Sequence, residues 1–125
     1  MPGVRWVNLQ HRDHAQELDQ IHVRHGVQVA RWDDALADLD ETAALVHGLD
    51  LVITVCSTVV HLAGALGRPV WTLTPHAPAW RYLFEGDSMP WYPNVRLFRQ
   101  RAEGDWGEVI DGVAAALGGL RTEAA

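Results

Sequence analysis

The sequence of 125 residues contains no lysine, a single cysteine and no apolar run long enough to cross a bilayer. One cysteine excludes an internal disulfide and fits a reducing compartment. No signal peptide is recognisable, because residues 1–3 lead directly into a strand-like segment. We therefore predict a cytoplasmic protein with no membrane span.

Basic residues are also scarce, since the sequence has ten arginines against sixteen acidic residues and a net charge of −6. Non-specific nucleic-acid binding needs a basic surface, so nucleic acid is not an expected partner. The absence of lysine argues against a receiver-like domain, which pairs a lysine with a phosphorylatable aspartate. A flavodoxin-like domain is disfavoured because N-L-Q-H-R-D, after the first strand pattern, lacks the Gly and Ser/Thr of a phosphate loop.

What is present is an alternation of strand and helix patterns along a chain of single-domain length. We place the domain at residues 1–121 and a frayed tail at 122–125. Helix-capping signatures begin at Asp13, Asp38 and Asp105, while Gly26 and Gly118 are predicted to end helices. The predicted strands are 4–9, 27–31, 51–55, 70–74 and 95–98.

Strands that alternate with helices indicate βαβ units and an α/β fold. We predict a single Rossmann-like three-layer αβα domain with a parallel five-stranded sheet in the order 2-1-3-4-5. This order places the turn after the first strand beside the turn after the third strand, so that both flank one crevice.

The third strand and its turn are the most informative part of the sequence. Residues 51–55 form a continuous apolar run typical of a strand covered on both faces. Ser57 or Thr58 is predicted to cap a following helix, and Gly67 to end it before Pro69. A helix that begins at the carboxyl end of a buried parallel strand directs free N–H groups into the ligand crevice. The pattern predicts an anion site, most simply for the phosphates of a nucleotide.

A long aromatic and proline-rich loop at residues 75–94 leaves the carboxyl end of the fourth strand. Loops of about twenty residues are uncommon in compact domains unless they are functional. We expect this loop to overhang the same crevice, with a short helix at 80–84. Trp80 and Arg81 are its candidates for contacting a nucleotide, by stacking and by charge.

Several segments together resemble the C-terminal domain of bacterial GT-B-fold glycosyltransferases. The likeness is greatest to those attached to tetratricopeptide repeats, with heptosyltransferases and O-linked N-acetylglucosamine transferases as more distant kin. It covers most of the chain and is strongest at residues 50–71 and 91–100. The segments are V-N-L-Q, D-L-V-I-T-V-C-S-T-V-V-H-L-A-G-A-L-G-R-P-V-W, W-R-Y-L, D-S-M-P-W-Y-P-N-V-R-L-F-R-Q and G-D-W-G-E-V-I.

The resemblance implies a nucleotide-sugar donor domain that holds the donor diphosphate at Ser57, Thr58 and Val59. Gln10 and Arg12, after the first strand, are expected near the same phosphates, and His61 near a phosphate or the ribose. The resemblance implies no metal or other cofactor, because helix dipoles and basic side chains stabilise the departing diphosphate. The catalytic base of such enzymes lies in the opposite domain, so no catalytic residue is predicted here.

The chain departs from its relatives at two positions, with Cys56 and Ala79 where they often have aspartate. We interpret Cys56 as structural, although its place at a helix N-terminus could lower its pKa. The N-terminal acceptor domain and the repeats are absent from the 125 residues, so we expect donor binding without turnover.

Two alternatives stand beside donor binding. His11/His14 and His22/His25 have the i, i+3 spacing of metal ligands, but no acidic or cysteine partner completes a set, and no metal is predicted. The other alternative is a non-catalytic interaction module, which forms a homodimer through an exposed crevice and the tryptophan-rich loop.

Overall fold

The computed structural model describes residues 1–124, which form two compact units, one of residues 1–45 and one that begins at residue 46. The first unit contains a pair of short parallel strands, in which Trp6 lies opposite Val29. Its elements in chain order are β1 (Trp6–Val7), α1 (Ala15–His25), β2 (Val29–Ala30), α2 (Asp33–Leu36) and α3 (Leu39–His47), the last of which crosses the boundary.

Of the two helix caps predicted in the first unit, the one at Asp38 is confirmed, whereas the N-cap of α1 is His14, which makes no side-chain cap hydrogen bond. Asp13 Oδ1 accepts a hydrogen bond from the amide of Ala15 at 2.9 Å, just before α1. Asp38 Oδ1 accepts one from the amide of Glu41 at 3.0 Å, at the start of α3. Gly26 ends α1 in the left-handed conformation, with φ of 66°.

The second unit is built on a four-stranded sheet in the order β3-β4-β6-β5. β4 is the central strand and pairs in parallel with both β3 and β6. Four of its five residues are buried, as expected for a strand covered on both faces. The strands are β3 (Val52–Val55), β4 (Val70–Thr74), β5 (Ser88–Met89) and β6 (Tyr92–Arg99).

The predicted α/β class is confirmed, but the single parallel sheet in the order 2-1-3-4-5 is not. Hydrogen bonding forms two sheets, β1-β2 and β3-β4-β6-β5, within the described residues. β1 and β2 have two residues each, shorter than their sequence patterns suggested. β5 was not predicted, and it pairs antiparallel with β6 at the sheet edge. Pro90 directly after it, which cannot donate to a ladder, obscured the strand pattern.

α4 (Thr58–Ala65) connects β3 to β4 and packs on β3, β4 and β6. The predicted stop at Gly67 is confirmed, with φ of 72°. The amide of Gly67 donates to the carbonyl of Gly64 at 3.1 Å, and the amide of Arg68 to that of Ala63 at 3.0 Å. These two bonds form a Schellman motif, which satisfies the last carbonyls of the helix.

α5 (Gly107–Ala124) begins where Asp105 Oδ1 accepts the amide of Gly107 at 3.1 Å, as its capping signature predicted. The predicted stop at Gly118 is wrong, because the helix continues through it. Glycine ends a helix only where it adopts the left-handed conformation, and Gly118 keeps a helical one. Residues 122–124, predicted as a frayed tail, are helical, and Ala125 lies outside the described residues.

The loop after β4 contains one turn of 3₁₀-helix at Trp80–Tyr82, where the sequence predicted a helix over 80–84. Leu83 ends it with φ of 57°, and it is the one non-glycine residue with positive φ among those described. Such a conformation costs an L-residue about 1–3 kcal/mol unless the surroundings hold it.

Gly64 lies where α4 packs against the ring of Tyr92 in β6. A Cβ at this position would lie 2.6 Å from Cγ of Tyr92 and 2.8 Å from its Cδ2, so the whole ring would have to move. The absent side chain therefore allows the aromatic ring to lie directly on the helix.

We predict that Gly64→Ala destabilises the fold by about 1–3 kcal/mol, because overpacking outweighs the gain in helix propensity. The matched control is Gly119→Ala in α5, where a new Cβ meets nothing within 4 Å. That change should be neutral or stabilising by up to about 1 kcal/mol. Urea denaturation of both variants checks this, and equal effects would contradict the packing described.

Candidate functional site

The turn between β3 and α4 places Ser57 at the N-cap of α4 in an extended conformation, φ −142° and ψ 175°. Its hydroxyl does not cap the helix but lies 3.1 Å from the hydroxyl of Thr54. Since the Thr54 hydroxyl donates to the carbonyl of Val55 at 3.1 Å, the Ser57 hydroxyl is the donor to Thr54.

The N-terminus of α4 is therefore open. No side chain within residues 1–124 accepts a hydrogen bond from the amides of Thr58 or Val59, while the amide of Val60 turns back to the carbonyl of Ser57 at 3.2 Å. The expectation that a hydroxyl of this turn caps the helix is thus wrong. Free first-turn amides and the positive end of the helix dipole make this turn suited to an anion.

Cys56 stands just before this turn and is half-buried. Burial raises the pKa of its thiol and outweighs nearby Arg81 and Arg99, which lower it. The sequence-based suggestion that the helix terminus lowers this pKa is therefore not supported, and the side chain is a neutral thiol at pH 7. Its environment includes the buried ring of Tyr82, whose pKa burial also raises.

Arg81 is a half-buried arginine with no carboxylate within 4.0 Å among the described residues. It is close enough to the hydroxyl of Tyr82 to act against the burial that raises the pKa of that hydroxyl. Its Nε is buried, and its Cζ lies 5.3 Å from the centre of the Tyr82 ring. Its charge acts on both Cys56 and His61. A partly desolvated guanidinium without a counter-ion, close to the open end of α4, is a second feature that favours an anion.

His61 lies one turn into α4, and its Nδ1 is 3.3 Å from the hydroxyl of Tyr92. Its ring is 5.8 Å from that of Trp91, which is 5.5 Å from that of Trp80 in an edge-to-face arrangement. Trp80 is 71% exposed and Trp91 50% exposed, so the aromatic wall formed by Trp80, Trp91 and His61 faces solvent. Burial, followed by the charge of Arg81, lowers the pKa of His61.

Six of the predicted site residues thus lie in the second unit, around the β3–α4 turn and the 3₁₀ turn. They are Ser57, Thr58, Val59, His61, Trp80 and Arg81. Gln10 and Arg12 belong to the first unit, where both are exposed and follow β1. The amide of Gln10 donates to Asn8 Oδ1 at 3.3 Å.

Sequence reasoning missed Arg99, the last residue of β6. Its guanidinium donates to four backbone carbonyls of the loop: from Nε to Gly86 at 2.6 Å, from Nη1 to Leu83 at 2.9 Å, and from Nη2 to Tyr82 and, at 3.1 Å, to Glu85. These bonds hold Leu83 in its positive-φ conformation and fix the loop that carries Arg81. No local sequence signal marks such a role, because its partners are backbone groups 13 to 17 residues away.

The two members of the first histidine pair, His11 and His14, have other partners. His11 Nδ1 lies 3.0 Å from the carbonyl of Leu36, and His14 Nδ1 lies 3.1 Å from Glu17 Oε2. Among residues 1–124 no three His, Cys, Asp or Glu side chains come together as metal ligands do.

Across the same residues, every helix is too short or too polar to pass through a bilayer.

The second unit is an α/β unit in which a parallel strand runs into a helix with an open N-terminus, an arrangement that Rossmann-like folds also have. Over residues 35–103, more than half its length, the chain matches the profile of glycosyltransferase family 9 (heptosyltransferase). The chain belongs to this family.

Among individual proteins, the chain is similar to Protein FlbA of Caulobacter vibrioides, with 40% identity over 118 residues. The match covers 93% of this chain and 20% of that protein, so the chain spans about a fifth of the length of this curated relative. No solved structure matches the chain significantly.

We predict that His61 titrates below its ordinary pKa of 6.5 and that Arg81→Gln raises this pKa, because one of its two causes is removed. The folded state then resists protonation more than the unfolded chain does, so this histidine reduces stability as the pH falls below 6.5. An NMR titration of the His61 ring proton measures both values. Arg101→Gln is the control and should leave the pKa unchanged; an equal shift there would refute the assigned cause.

We further predict that Arg99→Ala destabilises the protein by about 1–3 kcal/mol. Amide hydrogen exchange should increase most strongly in the loop from Tyr82 to Gly86, which Arg99 holds. Arg101→Ala, two residues along and exposed, is the matched control and should leave that exchange unchanged. Uniformly faster exchange throughout the unit, with no excess in the loop, would show that Arg99 does not hold it.

Proposed function

We propose that this chain is the donor-binding part of a GT-B glycosyltransferase and binds a nucleoside-diphosphate sugar at the β3–α4 turn. The diphosphate lies against the free amides of Thr58 and Val59, and Ser57 lines the turn. The guanidinium of Arg81 neutralises part of its charge. Membership of glycosyltransferase family 9 supports a nucleotide-sugar donor of the heptosyl or hexosyl class.

The observation that carries this proposal is the coincidence of two unmatched positive features. The N-terminus of α4 has no side-chain cap, and Arg81 has no counter-ion within the described residues. Helix amides and a half-buried guanidinium each form charge-assisted hydrogen bonds that are stronger than neutral ones. A diphosphate carries several charged oxygens in one ligand and can accept hydrogen bonds from both groups at once.

The aromatic wall supplies the remaining contacts of the proposed site. The exposed faces of Trp80 and Trp91 are suited to stacking against a planar base or the apolar face of a sugar. His61 holds Tyr92 through Nδ1 and has its other nitrogen available for a donor hydroxyl or phosphate oxygen. For Gln10 and Arg12, a role at the phosphates stays a prediction from the family resemblance.

Chemistry at this site needs no metal ion, because the helix amides and Arg81 oppose the charge that develops on the leaving diphosphate. The acceptor and the catalytic base come from an acceptor domain outside these 125 residues. The chain by itself therefore binds donor and does not transfer the glycosyl group.

The alternative is a non-catalytic module that dimerises through the aromatic wall. The exposure of Trp80, Trp91 and Phe84 on one unit favours it, because clustered apolar side chains on a surface mark interaction sites. A dimer that buries this wall would exclude donor from the turn beside it.

We predict that UDP, GDP or ADP binds the chain at millimolar or lower concentration in isothermal titration calorimetry. Ser57→Glu should abolish this binding, because a carboxylate then occupies the helix terminus and repels the diphosphate. Arg81→Gln should weaken it by about tenfold, or 1.4 kcal/mol. Ser88→Glu adds the same charge at the exposed serine of β5 and should not change the affinity.

Absence of heat with all three nucleotides at millimolar concentration would contradict donor binding. Sedimentation analysis of the same samples then identifies the alternative, since a dimer that Trp91→Ala dissociates would show that the wall is an interface. Equal loss of binding in Ser57→Glu and Ser88→Glu would show that net charge, and not the turn, governs affinity.

A further inference from the structure

A second concave site lies at the carboxyl ends of β4 and β6. This groove has a volume of about 450 Å³, within the usual range for small-molecule sites. One wall is the segment after β4 that contains His76, and the other is the end of β6, where Gln100 and Arg101 follow the strand. Phe84 from the loop completes the lining. None of these residues belongs to the proposed diphosphate site.

The lining of the groove is basic in a chain that is acidic as a whole. Arg99, Arg101 and His76 line it, and no aspartate or glutamate does, although the chain carries a net charge of −6. Arg99 is committed to loop carbonyls, so Arg101 is the charge available to a ligand. Its one ionic partner within the described residues is Glu108, at 3.4 Å and in a solvent-exposed pair, which is a weak competitor.

The floor of the groove holds a buried amide that is satisfied on one side only. Gln100 is 6% exposed, and its Oε1 accepts the amide of His76 at 3.0 Å, which joins the two walls. Its Nε2 is buried and has no acceptor in the described chain. A buried donor without an acceptor is unfavourable, and an oxygen of a ligand that reaches the floor of the groove would satisfy it.

Phe84 gives the groove an apolar face. It is 73% exposed beside Arg101 and His76, so one face of its ring is open to solvent. An aromatic face packs against the C–H groups of a pyranose ring, while the polar end of the groove fits an oxyanion. A bare inorganic anion would use the charge and leave the ring uncovered.

We propose that this groove binds a hexose-sized molecule that carries one oxyanion, either a phosphate or a carboxylate. The oxyanion lies at Arg101 with the Gln100 amide beneath it, and the sugar ring lies against Phe84. The lining of this groove shares no residue with the β3–α4 turn, and the proposal does not depend on donor binding at that turn.

The test is a titration of the ¹⁵N-labelled chain followed by amide chemical shifts. Glucose 6-phosphate and glucuronate are the two anionic probes, and glucose and inorganic phosphate are the controls. We expect saturable shifts centred on the amides of His76, Ala77, Phe84 and Arg101 with at least one anionic sugar. A response to only one of the two supports the proposal and identifies the oxyanion.

Single substitutions separate the contribution of the Arg101 charge to binding from that of the Phe84 ring. Arg101→Ala should weaken anionic-sugar binding by about tenfold, while Arg121→Ala, an exposed arginine of α5, should not change it. Glu108→Gln should strengthen binding, because the competing carboxylate is removed. Phe84→Ala should weaken binding of the sugar and leave that of inorganic phosphate unchanged. Ser57→Glu should leave binding of the anionic sugars in the groove unchanged. Failure of the groove proposal can therefore be distinguished from failure of the proposed donor site.

Three results would overturn the proposal. Equal shifts with glucose would show that charge is irrelevant. Equal affinity for inorganic phosphate would show that the groove holds an adventitious ion only. No effect of Arg101→Ala on the affinity for either anionic sugar would show that the oxyanion does not lie at this residue.

Discussion

The hydrogen bond between the hydroxyls of Ser57 and Thr54 determines what the β3–α4 turn can do. A serine at an N-cap ordinarily accepts a hydrogen bond from an amide of the first turn, but here its hydroxyl donates to Thr54 in β3. The amides of Thr58 and Val59 are left for solvent or ligand. Because β3 lies beside the buried central strand, its carboxyl end holds these amides in a fixed position. An uncapped helix costs the fold some stability, and it leaves an anion site already formed.

The remainder of the site depends on a second device, the attachment of the long loop to β6. The guanidinium of Arg99 donates hydrogen bonds to four backbone carbonyls between Tyr82 and Gly86 rather than to a carboxylate. This arrangement holds Leu83 at positive φ and keeps Arg81 and Trp80 near α4. The two arginines thus differ in their partners, since Arg99 donates to four backbone carbonyls and Arg81 has no carboxylate within 4.0 Å among the described residues. That contrast distinguishes a structural arginine from one available to a ligand.

Sequence patterns located β3, α4 and β4 well because these elements carry strong local signals. A continuous apolar strand, a Gly67 stop and a proline after it leave few alternatives. The β1-β2 pair was predicted too long, and the edge strand β5 was not predicted. Pairing of two-residue strands is decided by tertiary contacts, which periodicity does not record. The prediction that α5 ends at Gly118 was wrong for a similar reason, since glycine permits a helix end without requiring one.

The candidate site was predictable in its residue types but not in its details. Ser57, Thr58, His61 and Arg81 follow from the motif and the loop composition. The diversion of the Ser57 hydroxyl, the Tyr92 contact to His61 and the role of Arg99 do not, because each depends on a partner distant in sequence or on a rotamer. The same holds for the pKa of Cys56, where burial outweighs the hydrogen bond with Tyr82 and the charges of Arg81 and Arg99.

The central claim is that the free amides of α4 receive a diphosphate. A crystal structure of the chain with UDP, GDP or ADP, whichever binds most tightly, measures this directly. The account predicts phosphate oxygens within hydrogen-bond distance of the amides of Thr58 and Val59 and of the Arg81 guanidinium. A nucleotide whose phosphates lie elsewhere, with those amides still bound to water, would contradict it.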